Sequence, residues 1–271
     1  MKPLLVLDKD YLQGIKPAAI EQLCRDYCVL MPEALFFELL TCSAAVRARC
    51  YAKFPAKDNP VALMPLVGEL VRFEWRRRRP ARPLYAHRLL KESFRFNARL
   101  AAGEFEFTTG HKRGIAAWRR EVAEESDRHA ELCRIIHRIF PGIVGQSGRA
   151  RASGIAEARF IVANHRPMVR EACRTFGRRL FPQAPDFDGR WVFFRWMQVH
   201  LLACLKHVST HGINAPPRNR QQLEHDVIDM QYQILGTLVG RLASRDGNVK
   251  RVVSELVPEA AIVELRFEIL K

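Results

Sequence analysis

Apolar positions along this chain fall into short continuous runs near its two ends and helical spacing between them. Leu4-Leu5-Val6-Leu7 is a four-residue apolar run that ends on Asp8, as a buried parallel strand would. Cys28 to Met31 predicts a second strand, and Pro32 suits the start of a helix. That helix places Glu38 among Leu35, Phe36, Leu39 and Leu40. Glu224 to Val253 reads as helix, short strand, acid, helix. Ile228, Tyr232, Leu235, Leu238 and Val239 keep helical spacing, Leu242-Ala243 follow, and a new helical pattern begins at Val249 after Ser244-Arg245-Asp246-Gly247.

The middle of the chain reads as mostly helical. Val61–Arg79, Leu84–Ala102, Ile115–Phe140 and Ile155–Leu180 carry helical spacing, the last with a bend at Pro167. Trp191–Val208 is apolar nearly all round, which predicts a buried helix. Glu104–Thr109 alternates and is read as a short strand or a loop. Gln146–Ser153 is read as a loop, and Thr210–Arg220 as a linker.

Acids mark the ends of these elements. Asp8 follows the first strand, and Asp246 follows the last one, where α/β sheets place ligands. Asp226 and Asp229 are three apart, so a helix puts them on one face. Spacing alone does not choose between them. Glu38 in an apolar helix needs a partner if it is buried. Carboxylates aimed at one point repel one another unless a cation joins them, so the pattern points to a metal site.

An opening strand ending in Asp8, a helix with Glu38, a helix with Asp226 and Asp229, and the final Ser244-Arg245-Asp246 together resemble the PIN domain family. The resemblance covers residues 1–41 and about 220–271. It implies an α/β/α three-layer sandwich around a mainly parallel sheet, interrupted by a large all-α insertion. The implied boundaries are a core in two halves, 1–41 and 219–271, and an insertion at 42–218. The implied activity is metal-dependent cleavage of phosphodiester bonds, in RNA ahead of DNA. Asp8, Glu38, Asp226, Asp229 and Asp246 would be the catalytic residues and hold Mg²⁺ or Mn²⁺, with Ser244 in support. Oxygen donors suit such hard cations. The resemblance also implies a toxin or defence effector with an antidote or regulatory protein as partner, and a homo-oligomer.

Charge sharpens this division. The formal net charge is +15, yet residues 1–41 carry −2 and residues 219–271 carry −1. Residues 42–218 hold 33 basic and 15 acidic side chains, a net +18, and 28 of the 33 are arginines. Arginine pairs bidentately with phosphate and stacks on bases. Arg76, Arg77, Arg78, Arg79, Arg119, Arg120, Arg178 and Arg179 stand beside Phe73, Trp75, Trp118 and Phe176, which points to nucleic-acid contact.

Other chemistry is weaker. Seven cysteines without a close pair point to reduced thiols and a cytoplasmic protein, and Cys24 with Cys28 to packing. No apolar run is long enough for a membrane helix, and the first residues do not form a signal peptide. His200, His207 and His211 could share a helix face, but without acids or cysteines at ligand spacing they read as core or surface histidines. The acidic stretch Glu121–Glu131 lacks a matching second helix for a di-iron bundle. No glycine-rich nucleotide motif is present. Two further functions compete with a nuclease. One is an RNA-binding or partner-binding module that does not cut. The other is a phosphatase built on Asp8 and Asp10, whose downstream signature is not found in the sequence.

Overall fold

The computed structural model describes residues 2–56, 59–82, 108–144, 148–183, 185–212 and 219–264. A five-stranded, all-parallel sheet runs in the order β3-β2-β1-β4-β5. Its strands are β1 (Leu4–Leu7), β2 (Cys28–Pro32), β3 (Ala62–Met64), β4 (Arg241–Ala243) and β5 (Ala261–Val263). Leu5, Val6 and Leu7 are fully buried, which is why β1 is continuously apolar rather than alternating. The fold is α/β, as the pattern predicts.

Parallel strands need crossovers, and helices supply them. Helices α1 (Lys9–Gly14) and α2 (Pro17–Asp26) connect β1 to β2, and α3 (Glu33–Thr41) and α4 (Ala44–Tyr51) connect β2 to β3. After β3 come α5 (Val67–Arg77), α6 (Thr109–Ile139), α7 (Gly148–Asn164), α8 (Arg166–Gly177), α9 (Val192–His211) and α10 (Arg220–Val239). Helix α11 (Gly247–Leu256) connects β4 to β5.

Several expectations are corrected. The helix expected over Val61–Arg79 begins only at Val67, because Ala62–Met64 pairs with Leu30–Pro32 as β3. The segment 42–218 is therefore not all helical, and its first part belongs to the sheet. Its core is not separate either: one cluster of buried apolar side chains joins Leu5 and Leu30 to Ile136, Leu201 and Val253. The loop expected over Gln146–Ser153 is helical from Gly148. Thr108 is the N-cap of α6 and Thr109 its first residue, so neither is in a strand. Leu84–Ala102 and Glu104–Phe107 lie outside the described residues. The bend expected at Pro167 is a break between α7 and α8, with His165 accepting from the Met168 amide at the new helix start.

Two buried charges are structural. Glu74, fully buried on α5, accepts from the amides of Ala81, Val192 and Phe193 at 3.0, 2.7 and 3.0 Å. Two of those amides open α9, so Glu74 caps that helix from outside it. Lys53 donates to the carbonyls of Leu12 and Gln13, both at 2.7 Å, and closes the end of α1. Gly240 turns α10 into β4 in one residue, with φ 69°. That left-handed geometry is the one a glycine adopts without cost. Among the described residues, no helix is long and apolar enough to cross a membrane.

Candidate functional site

The sheet order reverses beside β1: the chain steps from β1 to β2 and β3, then returns to β4 on the other side. In open α/β sheets that reversal, at the carboxyl ends of the strands, is where ligands bind. Register brings the chain's distant acids there. Val6 pairs with Leu242 and Leu7 with Ala243, so Asp8 and Ser244 are level at the strand ends. The Asp8 amide donates to the Ala243 carbonyl at 3.0 Å, and the Ser244 hydroxyl donates to Asp8 Oδ2. The Asp246 amide in turn donates to Ser244 Oγ at 3.1 Å.

Each acid has a distinct environment. Asp8 is 4% exposed. Its carboxyl is pushed up to about 6, chiefly by burial, then by Asp10 and Glu38 against the Ser244 hydrogen bond. Glu38, 8% exposed, is held from two sides. Lys9 Nζ lies 2.8 Å from Oε1, and the Tyr232 phenol donates to Oε2 at 2.7 Å. Asp246 caps α11 through Oδ1, which accepts from the Val249 amide at 2.7 Å. Asp229 makes no hydrogen bond or ion pair with the described residues. Burial pushes it up to about 8, and the like charges of Asp246, Asp8, Glu38 and Asp226 push in the same direction, in that order of size.

The order of those charges separates the two helix acids. Asp229 faces the sheet-end acids together with Tyr232, one helical turn further on. Asp226 lies one turn earlier on α10 and is the weakest of the four neighbours. Both line a cavity with Lys206, Arg159, Arg251 and His207. The convergence is loose. Among the described residues, one group of three ligating side chains has its atoms within 4.8 Å of one another, and it is His129, Cys133 and Cys204 rather than any set of carboxylates.

None of the eight arginines singled out in the sequence lines that cavity. Arg76, Arg77 and Arg79 line a cleft between α5 and α6, where Arg79 lies 5.7 Å from the Phe73 ring centroid. Arg120, Arg178 and Arg179 line a second cleft with Trp75 and Phe176, each 39% exposed, but Glu124 and Glu131 line it too. Arg78 lies over Phe181. Arg119 is exposed on α6 and lines neither cleft.

Sequence reading missed the His129, Cys133 and Cys204 group, which joins α6 to α9. It leaves a signal: His129-x-x-x-Cys133 and His200-x-x-x-Cys204 repeat the same spacing on two helices. Fold and site thus describe a parallel-sheet α/β protein with a cluster of acids at the point where strand order reverses, and Asp229 stands between that cluster and a cavity that also holds Arg159, Lys206 and Arg251. No protein-family model matches the sequence, and neither curated proteins nor solved structures yield a match.

Proposed function

We propose that this chain is a metal-dependent nuclease with a PIN-like core, acting on RNA ahead of DNA. The observation that carries the reading is that β1 and β4 bring Asp8, Asp246 and Ser244 together beneath Asp229 and Glu38 at the sheet's reversal point. Hard carboxylate oxygens fit Mg²⁺ or Mn²⁺. Asp229 carries the repulsion that a cation would relieve. Asp8, Asp229 and Asp246 are the residues that would hold the ion, with Glu38 beside them. Asp226 stands one helical turn away on α10. A bound ion would supply an activated water and charge neutralisation at the scissile phosphate.

The protein's own groups prepare that site. Ser244 fixes the Asp8 carboxylate, while Lys9 and Tyr232 fix Glu38. Lys206 and Arg251 line the cavity with Asp226 and Asp229 and can meet phosphate oxygens. The arginine-rich clefts lie apart from the acids and offer exposed Trp75 and Phe176 to unstacked bases. That division suits a single-stranded polynucleotide held along its length and cut at one place.

A second reading, a binding module that does not cut, is favoured by one observation. Glu38 is already occupied by a cation and a phenol, and the carboxylates stand apart. Labelled RNA and single-stranded DNA incubated with Mn²⁺, Mg²⁺ or EDTA separate the two. The nuclease reading expects metal-dependent cutting that disappears in a folded Asp8→Asn variant. Tight binding without cutting under every metal condition would replace it with the binding module.

A further inference from the structure

We propose a second, chemically different metal site in this protein: a thiolate–imidazole site for a Zn²⁺-type cation, formed by His129, Cys133 and Cys204, that ties α6 to α9. It is independent of the cluster of acids and of any nuclease activity.

The donor set comes first. One ligating atom from each residue lies within 4.8 Å of the others. Cys133 Sγ is 3.6 Å from His129 Nε2 and 3.0 Å from Cys204 Sγ, and Cys204 Sγ is 3.8 Å from His129 Nδ1. Around a tetrahedral ion with bonds of ~2.3 Å to sulfur and ~2.0 Å to nitrogen, N–S and S–S edges are about 3.6 and 3.8 Å. The separation of Cys133 Sγ from His129 Nε2 already matches, while the 3.8 Å from Cys204 Sγ is to the other ring nitrogen. The sulfurs have to part by about 0.8 Å to reach that edge. Two sulfurs and a nitrogen select a borderline-soft cation and disfavour Mg²⁺.

The surroundings fix the histidine. Glu125 accepts from Trp196 Nε1–H at Oε1, and Arg128 lies 3.0 Å from Oε2. Indole and guanidinium can only donate, so Glu125 is an acceptor. His200 Nε2, 3.0 Å from Oε1, is therefore the donor, which leaves His200 Nδ1 with its lone pair. His129 Nδ1 lies 3.2 Å from that atom and must donate to it. His129 Nε2 is then left with the free lone pair, directed toward Cys133. A carboxylate that orients a ligating imidazole is the usual support of a metal site, and here the support runs through one extra histidine.

The position permits entry and gives the ion a task. His129 is 3% exposed and Cys204 fully buried, but Cys133 is only half-buried, and His129 and Cys133 line the cavity that also holds Asp226 and Asp229. An ion there locks the long helix α6 to the buried helix α9, next to the helix that carries those acids. His207, three residues after Cys204, lines the same cavity.

Cobalt titration tests the site. Full-length protein is freed of metal with chelator under reducing conditions and titrated with Co²⁺. One equivalent should bind and produce a sulfur-to-cobalt charge-transfer band. Cys133→Ser, the less buried position, should lose the band while circular dichroism shows an intact fold. Glu125→Gln should weaken Co²⁺ binding about 10- to 100-fold. Asp8→Asn should leave band and affinity unchanged, so failure here is distinct from failure of the nuclease reading. No band in folded wild type, a band that survives in Cys133→Ser, or recovery of Cys133 and Cys204 as a disulfide instead of a metal complex would overturn the proposal.

Discussion

The Tyr232 phenol donates to Oε2 of Glu38 across 194 positions of chain, and it does so from the helix face that also presents Asp229. Burial and the nearby Glu38 and Asp8 charges hold the phenol well above its ordinary titration range, so it stays a donor. Tyr232→Phe removes the proton and keeps the ring. It should cost about 1–2 kcal/mol in urea unfolding. It should also lower metal-dependent cleavage more than it changes RNA binding, because Glu38 loses one of two constraints.

With its carboxyl pushed up to about 8 by burial and like charges, Asp229 has to take up a proton when the metal-free chain folds at neutral pH. Neutralising it should make the metal-free protein more stable while removing its activity. Asp229→Asn is expected to raise the thermal midpoint in EDTA, to shrink the extra stabilisation that Mn²⁺ gives wild type, and to abolish cutting. Asp226→Asn, one turn away, should change all three less. A lower midpoint for Asp229→Asn in EDTA would show that the carboxylate is structurally satisfied.

Glu33 provides a pH test away from the cluster of acids. It opens α3, accepts from the Leu66 amide at 3.3 Å, and has its carboxyl pushed up to about 7 by burial, with Glu69 and Glu121 adding repulsion. The folded state thus holds a proton that the unfolded chain releases near its ordinary value of 4.5. The sign follows: this group's contribution is full below pH 4.5 and is lost as pH rises to about 7. Glu33→Gln should therefore flatten the fall in stability between those pH values. Above pH 7 it should gain up to about 3 kcal/mol over wild type in denaturant midpoints.

Glu74 should be intolerant of replacement. Glu74→Ala leaves three buried amides without an acceptor, two of them at the start of α9, and should cost about 2–4 kcal/mol. Glu74→Gln should recover part of that, because its carbonyl oxygen can still accept from Ala81 and Val192 while its NH₂ faces the Phe193 N–H. Chemical denaturation of the three proteins measures both effects.

How much of this was legible in the sequence depended on distance along the chain. Leu4–Leu7, Cys28–Met31 and Leu242–Ala243 stand out because buried parallel strands are apolar on both faces. Ala62–Met64 did not, because three residues of strand run into the helical pattern of α5 without a clear break. Gly148–Ser153 has a loop's composition, yet it is helical; it is largely exposed, and close packing begins at the next residue. A Cβ on Gly154 would lie 2.5 Å from the Gly142 carbonyl oxygen. The five acids were visible as strand-end and helix-face positions. The priority of Asp229 over Asp226 depends on helix phase relative to β1, which spacing does not give. The arginines beside Phe73 and Trp75 line clefts that glutamates share and that lie apart from the strand-end acids, neither of which spacing gives. Cys133 and Cys204 are 71 positions apart, so only the repeated His-x-x-x-Cys spacing could have linked them.

The pairing of β1 with β4 also sets an order of events in synthesis. Asp8 and Ser244 are neighbours in space and 236 positions apart in the chain. Closing so long a loop is entropically costly and slow, and nothing local rewards it early. A nascent chain can build β1, β2 and β3 from neighbouring sequence, but β1 waits with one edge bare until β4 leaves the ribosome. The cluster of acids therefore cannot form before β4 does. Any fragment that stops before residue 244 has its first carboxylate in place and nothing opposite it, so a protein that cuts polynucleotides would stay harmless until β4 and Asp246 are made.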